Sequence, residues 1–210
     1  MKDDMSGAGA VLAAMCAVGS VKPAVNVIAL IPATENSIGG NAIHPGDVFT
    51  SYSGKTVEIN NTDAEGRLVI ADAVAYAVEM GVDEIIDAAT LTGACTIALG
   101  NGMSGVFGSS QDIIDGLIKA GKSCGEDLWQ LPLYKDYEDE LKSDVADLKN
   151  VGGKEGSAIN GALFISKFAG DIPWAHIDIS SATIDKDTML SKKGSTGVPA
   201  GTLTEYILGL

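Results

Sequence analysis

The chain has 210 residues, 46% of them hydrophobic and 20% charged, enough apolar material to bury the core of one ordinary domain, which excludes a disordered chain. Asp and Glu number 28 against 14 Lys and Arg, a net charge of −14, which argues against binding DNA or RNA through phosphate contacts. Cys16, Cys95 and Cys124 are irregularly spaced and form no disulfide framework, which points to a reducing, cytoplasmic setting. With only His44 and His176 and no CxxC pair, a structural zinc site is disfavoured as well. The apolar run near the N-terminus follows two acids and is short and broken by glycine, so it predicts neither a signal peptide nor a membrane span.

In chain order, Ser6 to about Gly19 is small and apolar without a charge and predicts a helix buried on most sides. Val25 to Ala33 (VNVIALIPA) predicts a strand covered on both faces. Thr34 to Asp47 is rich in turn formers and long for a plain connection, as functional loops often are. Thr56 to Asn61 predicts a strand that feeds into a helix; Glu84 to Gly93 predicts a strand ending in a Thr/Gly loop. Ser104 to Ser110 predicts another strand, and Ile113 to Cys124 a helix. The acidic stretch Tyr134 to Lys149 predicts a solvated helix face, Gly156 to Gly170 a helix, Trp174 to Ser180 a strand, and the residues from about Gly197 a closing helix. Apolar strands alternating with helices imply one α/β domain over residues 1–210, with a mostly parallel or mixed sheet and helices on both faces. In such sheets chemistry gathers at the carboxyl ends of strands, here Asn60 to Arg67, Thr90 to Gly93 and Ser180 to Thr183.

The turn Asn60 to Arg67 (NNTDAEGR) carries two readings. Thr62 with Glu65 fits a capping box, and acids suit the first turn of a helix. Equally, Asp63 and Glu65 on a turn held by a helix start can face one cavity and offer hard oxygens to divalent cations. Arg67 opposes the helix dipole, which suits a side chain that holds an anion. Elsewhere, His44 reads as a loop residue and His176 as a satisfied core or interface residue. Neither a nucleotide fingerprint nor a serine triad is supported by the pattern.

NTDAEGRL (Asn61 to Leu68) resembles the signature of the leucyl aminopeptidase family, also called cytosol aminopeptidases. MKDDMSGAGAV (Met1 to Val11), ENSIGGNAIHPGD (Glu35 to Asp47), DAATLTGA (Asp87 to Ala94), WQLPL (Trp129 to Leu133), Gly152-Gly153 and WAHIDIS (Trp174 to Ser180) are similar to successive family segments in the same order. The resemblance implies a zinc-peptidase-like catalytic domain that releases N-terminal residues, leucine-type, from peptide substrates and assembles as a homo-hexamer. It implies two divalent ions, Mn²⁺, Zn²⁺ or Mg²⁺: Asp4 as ligand of one, Asp63 of the other, and Glu65 bridging both. Arg67 is implied to hold a bicarbonate-like anion that assists proton removal from the attacking water. Met1, Thr90, Gly93, Ser180 and Thr183 are implied to line the first side-chain pocket, and the Leu91 carbonyl to receive the substrate amine. The polar Ser180 and Thr183 suggest a preference shifted toward smaller or more polar residues.

The same resemblance implies an N-terminal domain, then strands bearing a metal-binding Lys, a bridging Asp and a catalytic Lys ahead of the Met1 stretch. These 210 residues hold none of them, and Lys2 matches neither Lys. The first strands of the domain are thus expected to be missing. Each ion would keep about two protein ligands, too few for tight binding, and the chain by itself is expected to be weakly active or inactive. The alternative is a catalytically silent scaffold, an oligomer-forming piece of the same fold.

Overall fold

The computed structural model describes residues 2–187 and 192–210. Helix α1 (Ser6–Val21) comes first and ends on Lys22 in a left-handed conformation. The chain then passes through residues 25–39 without forming a helix or entering a sheet. A small hairpin of β1 (Val48–Thr50) and β2 (Thr56–Glu58) follows, then a single 3-10 turn (Thr62–Ala64) and α2 (Gly66–Glu79). Next come β3 (Ile85–Ala89), α3 (Gly93–Leu99), β4 (Ser104–Gly108), α4 (Gln111–Cys124) and β5 (Leu128–Gln130). A 3-10 stretch (Lys135–Leu141) and β6 (Leu148–Lys149) lead to α5 (Ser157–Ser166) and β7 (Trp174–Asp178). The two-residue strands β8 (Thr183–Ile184) and β9 (Gly194–Ser195) precede α6 (Ala200–Leu208). No helix among the described residues is long and apolar enough to cross a membrane.

The main sheet has the order β3-β7-β4-β5. β7 runs parallel to β3 and antiparallel to β4, while β5 is parallel to β4, so the sheet is mixed. All five residues of β7 are buried, as a strand between two neighbours and two helical layers requires. One face carries α2 and α5 around Phe164, Leu163 and Trp174. The other carries α1, α4 and α6 around Ile177, Leu117 and Val106. The α/β class expected from the apolar strand pattern is the architecture observed.

Several local expectations need correction. Val25 to Ala33 forms no strand: its burial alternates over residues 25–28 as in an extended chain, but no backbone ladder includes it. Strand chemistry without an adjacent partner cannot make a strand, because a ladder needs two backbones. Helix α1 is covered on one side only, leaving Leu12, Ala13, Cys16 and Val21 exposed. The acidic stretch is no solvated α-helix but a 3-10 turn tied inward. Glu140 accepts from Gly153 N at 2.8 Å and Asn160 Nδ2 at 2.8 Å, and Glu138 pairs with Lys167.

Candidate functional site

A cavity of about 800 Å³ opens at the carboxyl end of β3 and runs along its free edge. Three backbone features aim side chains into it. The start of α1 brings Asp4, because Gly7 lets the helix descend onto β3: a Cβ there would lie 1.9 Å from the Ala88 carbonyl oxygen. The 3-10 turn brings Asp63, and the entry into α2 brings Glu65 and Arg67. The loop after β3 brings Thr90, Leu91 and Gly93.

The cap at this turn differs from the sequence expectation. Asn61 caps it by accepting from Asp63 N at 3.0 Å, and α2 has no side-chain cap at Glu65, so the Thr62–Glu65 capping box does not form. Asn150 braces the same turn, accepting from Asn60 N at 2.8 Å and donating to the Asn61 carbonyl at 2.6 Å. The carboxylates of Asp63 and Glu65 are therefore not consumed by capping. Among the described ion pairs none involves Asp4, Asp63, Glu65 or Arg67. Asp4 accepts from Thr90 Oγ1 at 3.1 Å, which links the two banks of the cavity.

Arg67 is 6% exposed and donates from Nη1 to the Asn150 carbonyl at 2.7 Å, while its Nε has no partner among the described residues. Burial lowers its pKa to about 10 against the pull of Asp178, so it remains a cation at neutral pH. Asp178, at the end of β7, accepts from Leu91 N and Thr92 N at 3.1 Å each and from Thr92 Oγ1 at 2.6 Å. That buried carboxylate, pushed up by desolvation, fixes the loop whose backbone faces the cavity. Beside it, His176 lies 2.5 Å from Asp87 through Nδ1, and Trp174 donates to the same carboxylate at 2.7 Å. The expectation of a satisfied core histidine holds at Nδ1; Nε2 is buried without a partner among the described residues. The Cys95 thiol is pushed up to about 11 by burial and by Asp178, which makes it a poor nucleophile.

The structure thus brings Asp4, Asp63, Glu65, Arg67, Thr90, Leu91 and Gly93 to one cavity. Ser180 and Thr183 are not on its wall: Ser180 is buried and donates to the Met103 carbonyl, and Thr183 pairs with Ser195 in the β8-β9 ribbon. Met1 lies outside the described residues. Hard carboxylate oxygens suit divalent cations in kind. In number they fall short, because among the described residues no group of three or more His, Cys, Asp and Glu side chains could hold one ion. Asp178, Asn150 and Asp87 were not singled out by sequence. Their role is contact across 80 or more residues, which no local spacing reveals; the Asp and His of WAHID alternating in an apolar strand are the one local hint.

The catalytic-domain model of the cytosol aminopeptidase family matches residues 1–204. A probable cytosol aminopeptidase of Synechocystis sp. is 46% identical over 211 residues, covering 100% of this chain and 43% of that protein. One from Alkaliphilus metalliredigens is 49% identical over 206 residues, covering 98% of this chain and 41% of the relative. A solved structure of a tomato leucine aminopeptidase mutant superposes with a TM-score of 0.91 at 42% identity, covering 100% of this chain and 41% of that one. The chain therefore spans less than half the length of these relatives, and by its sequence, its fold and the elements that frame the cavity it belongs to the cytosol aminopeptidase family.

Proposed function

We propose that this chain provides the catalytic cavity of a two-metal aminopeptidase that removes N-terminal, leucine-type residues from peptides. The observation that carries the reading is one cavity lined by Asp4, Asp63, Glu65, Arg67 and Leu91 in a chain of this family. Asp4 would hold one ion, Asp63 the other, and Glu65 both, with further donors needed from outside the described residues. Bound Mn²⁺ or Zn²⁺ would supply Lewis acidity and a water acidic enough to be hydroxide near neutral pH. Arg67, charged and largely dehydrated, offers its positive end to an anion such as bicarbonate and to negative charge that develops on the substrate carbonyl. The Leu91 carbonyl accepts from the substrate's ammonium group, with its loop held by Asp178. Thr90 and Gly93 bound the first side chain, and Met1, which lies outside the described residues, is assigned to the same pocket by the resemblance alone; Ser180 and Thr183 belong to this pocket only if the substrate reaches past the cavity wall described above. Homo-oligomeric assembly, as a hexamer, is part of the same reading and is supported by exposed apolar residues such as Ile97 and Trp129.

A second reading, a silent scaffold, draws on the lack of three converging donors among the described residues. Calorimetric titration with Mn²⁺ separates the two. The aminopeptidase reading expects two weak sites in this chain, filled below millimolar Mn²⁺, with Glu65→Gln weakening both and Asp63→Asn weakening one. No heat of binding at millimolar Mn²⁺ would leave the scaffold. The chain by itself is expected to hydrolyse leucine p-nitroanilide weakly or not at all; a rate typical of peptidases, roughly 1–1,000 per second, would show that the described donors suffice.

A further inference from the structure

The chain contains two Asn-Gly pairs, Asn101–Gly102 and Asn160–Gly161, and the fold treats them oppositely. An asparagine followed by glycine carries a reaction of its own. The next backbone nitrogen can reach the side-chain amide carbon, and the glycine has no Cβ to stand in the way. The reaction needs access to water, a nitrogen not engaged in a backbone hydrogen bond, and freedom to turn the asparagine ψ well away from the helical value of about −42°.

Asn101 and Gly102 meet these needs. Both are exposed, in the turn between α3 and β4, outside any helix or strand. Gly102 N donates to no carbonyl among the described residues. The pair bridges two fixed points. Gly100 N donates to the Thr96 carbonyl at 2.8 Å and closes α3; beyond the pair, the Met103 carbonyl accepts from Ser180 Oγ and Ser104 N donates to the Asp127 carbonyl at 3.0 Å. Neither packing nor the turn demands a glycine at 102. A Cβ there would meet nothing within 4 Å, and Gly102 lacks the left-handed backbone of Gly100, at φ 73°. Asn160 and Gly161 meet none of these needs. Both are buried inside α5, where the Gly161 N–H belongs to the helical ladder, and Asn160 Nδ2 donates to Glu140 at 2.8 Å.

We infer that Asn101 is a site of spontaneous deamidation, and that the fold directs the reaction there and away from Asn160. Gly102 N, its proton released to solvent, attacks Asn101 Cγ. The new N–Cγ bond forms as the Cγ–Nδ2 bond breaks, and Nδ2 takes up a proton and leaves as ammonia. Water then opens the five-membered imide. Opening at the side-chain carbonyl gives aspartate; opening at the Asn101 main-chain carbonyl gives isoaspartate, whose main chain runs through Cβ and is longer by that carbon. The net change is amide plus water to acid plus ammonia, with no oxidant or metal. Either product adds negative charge to a chain already at −14. The isoaspartate also lengthens the bridge between β4 and α3, whose first residue, Gly93, lies on the cavity wall. Neither metal nor substrate enters, so the inference stands or falls separately from the aminopeptidase reading.

The test is to keep the folded 210-residue chain in warm, mildly alkaline buffer for days to weeks. Peptide mapping by mass spectrometry reads the acid at each asparagine, and enzymatic carboxyl methylation reads isoaspartate. Asn101 should convert at least about tenfold faster than Asn160 in the folded chain, with the gap closing to within about threefold in concentrated urea, where both pairs are open. Gly102→Ala, for which the turn has room, should slow conversion at Asn101 at least about tenfold and leave the urea midpoint of unfolding unchanged. Asn101→Gln, which would have to close a larger ring, should yield no acid at that position. Equal rates at the two asparagines in the folded chain overturn the inference. A gap that persists in urea also overturns it, because neighbouring sequence rather than the fold would then set the rates. So does a Gly102→Ala chain that converts as fast as the parent.

Discussion

β7 and β3 are adjacent, parallel and equal in length, yet they live in different surroundings. β7 has a strand on either side, every residue buried, and its polar side chains absorbed in pairs: His176 with Asp87, Asp178 with the Leu91–Thr92 backbone. β3 has a strand on one side and a cavity on the other, and only Ile85 is fully buried. The difference shows how one sheet divides labour. A strand closed on both sides supplies rigidity, and its rigid end then holds the loop that lines the open space beside its neighbour.

Substitutions on the two sides should differ by an order of magnitude. Trp174→Ala removes a fully buried ring and its hydrogen bond to Asp87, and is expected to cost about 3–5 kcal/mol in urea unfolding. A loss below about 1 kcal/mol would mean that the β7 side is as loosely held as the cavity side.

The buried histidine sharpens the comparison through pH. Burial opposes charging His176, but Asp87, through charge and hydrogen bond, and Asp178 outweigh it and raise its pKa above the ordinary 6.5. The folded state therefore binds the proton more tightly than the unfolded chain. Its contribution is complete below about 6.5, and is lost as pH rises through the higher native value. Stability of the unmodified chain should fall with rising pH above neutrality, whereas His176→Gln should flatten that slope. Equal slopes in the two proteins between pH 6 and 9 would remove His176 from the account.

The smallest effect belongs to residues 25–39, which enter no helix or sheet. Ile31 is 42% exposed, and Ile31→Ser should shift the unfolding free energy of the chain alone by no more than about 0.5 kcal/mol. A larger loss would place this segment inside the cooperative core.

The architecture and much of the candidate site were legible locally. Helices at Ser6, Gly66, Gln111, Ser157 and Ala200, and strands at Ile85, Ser104 and Trp174, follow from apolar periodicity and turn residues. The acid-bearing turn was locally open between a helix cap and a cation site, and only the resemblance of NTDAEGRL to the family signature favoured the second. What failed were the statements that need a neighbour. Val25 to Ala33 was readable as strand material but not as a strand without a partner; the capping box yielded to Asn61, whose side chain accepts from Asp63 N. Strand β1, the short α3 and the brief β5 escaped, being too short for a period to show, whereas β2 lies within the strand expected over Thr56 to Asn61.

The sequence by itself determined the layered α/β class, the identity of the acids and the loop after β3, because these depend on side-chain chemistry and on order along the chain. Only the tertiary structure decided which of those residues share a cavity, that Asp178 and Asn150 brace it from far along the chain, and that Ser180 and Thr183 turn elsewhere. Such assignments depend on which backbones lie side by side, and adjacency in a sheet joins residues 80 or more positions apart, beyond the reach of any local pattern.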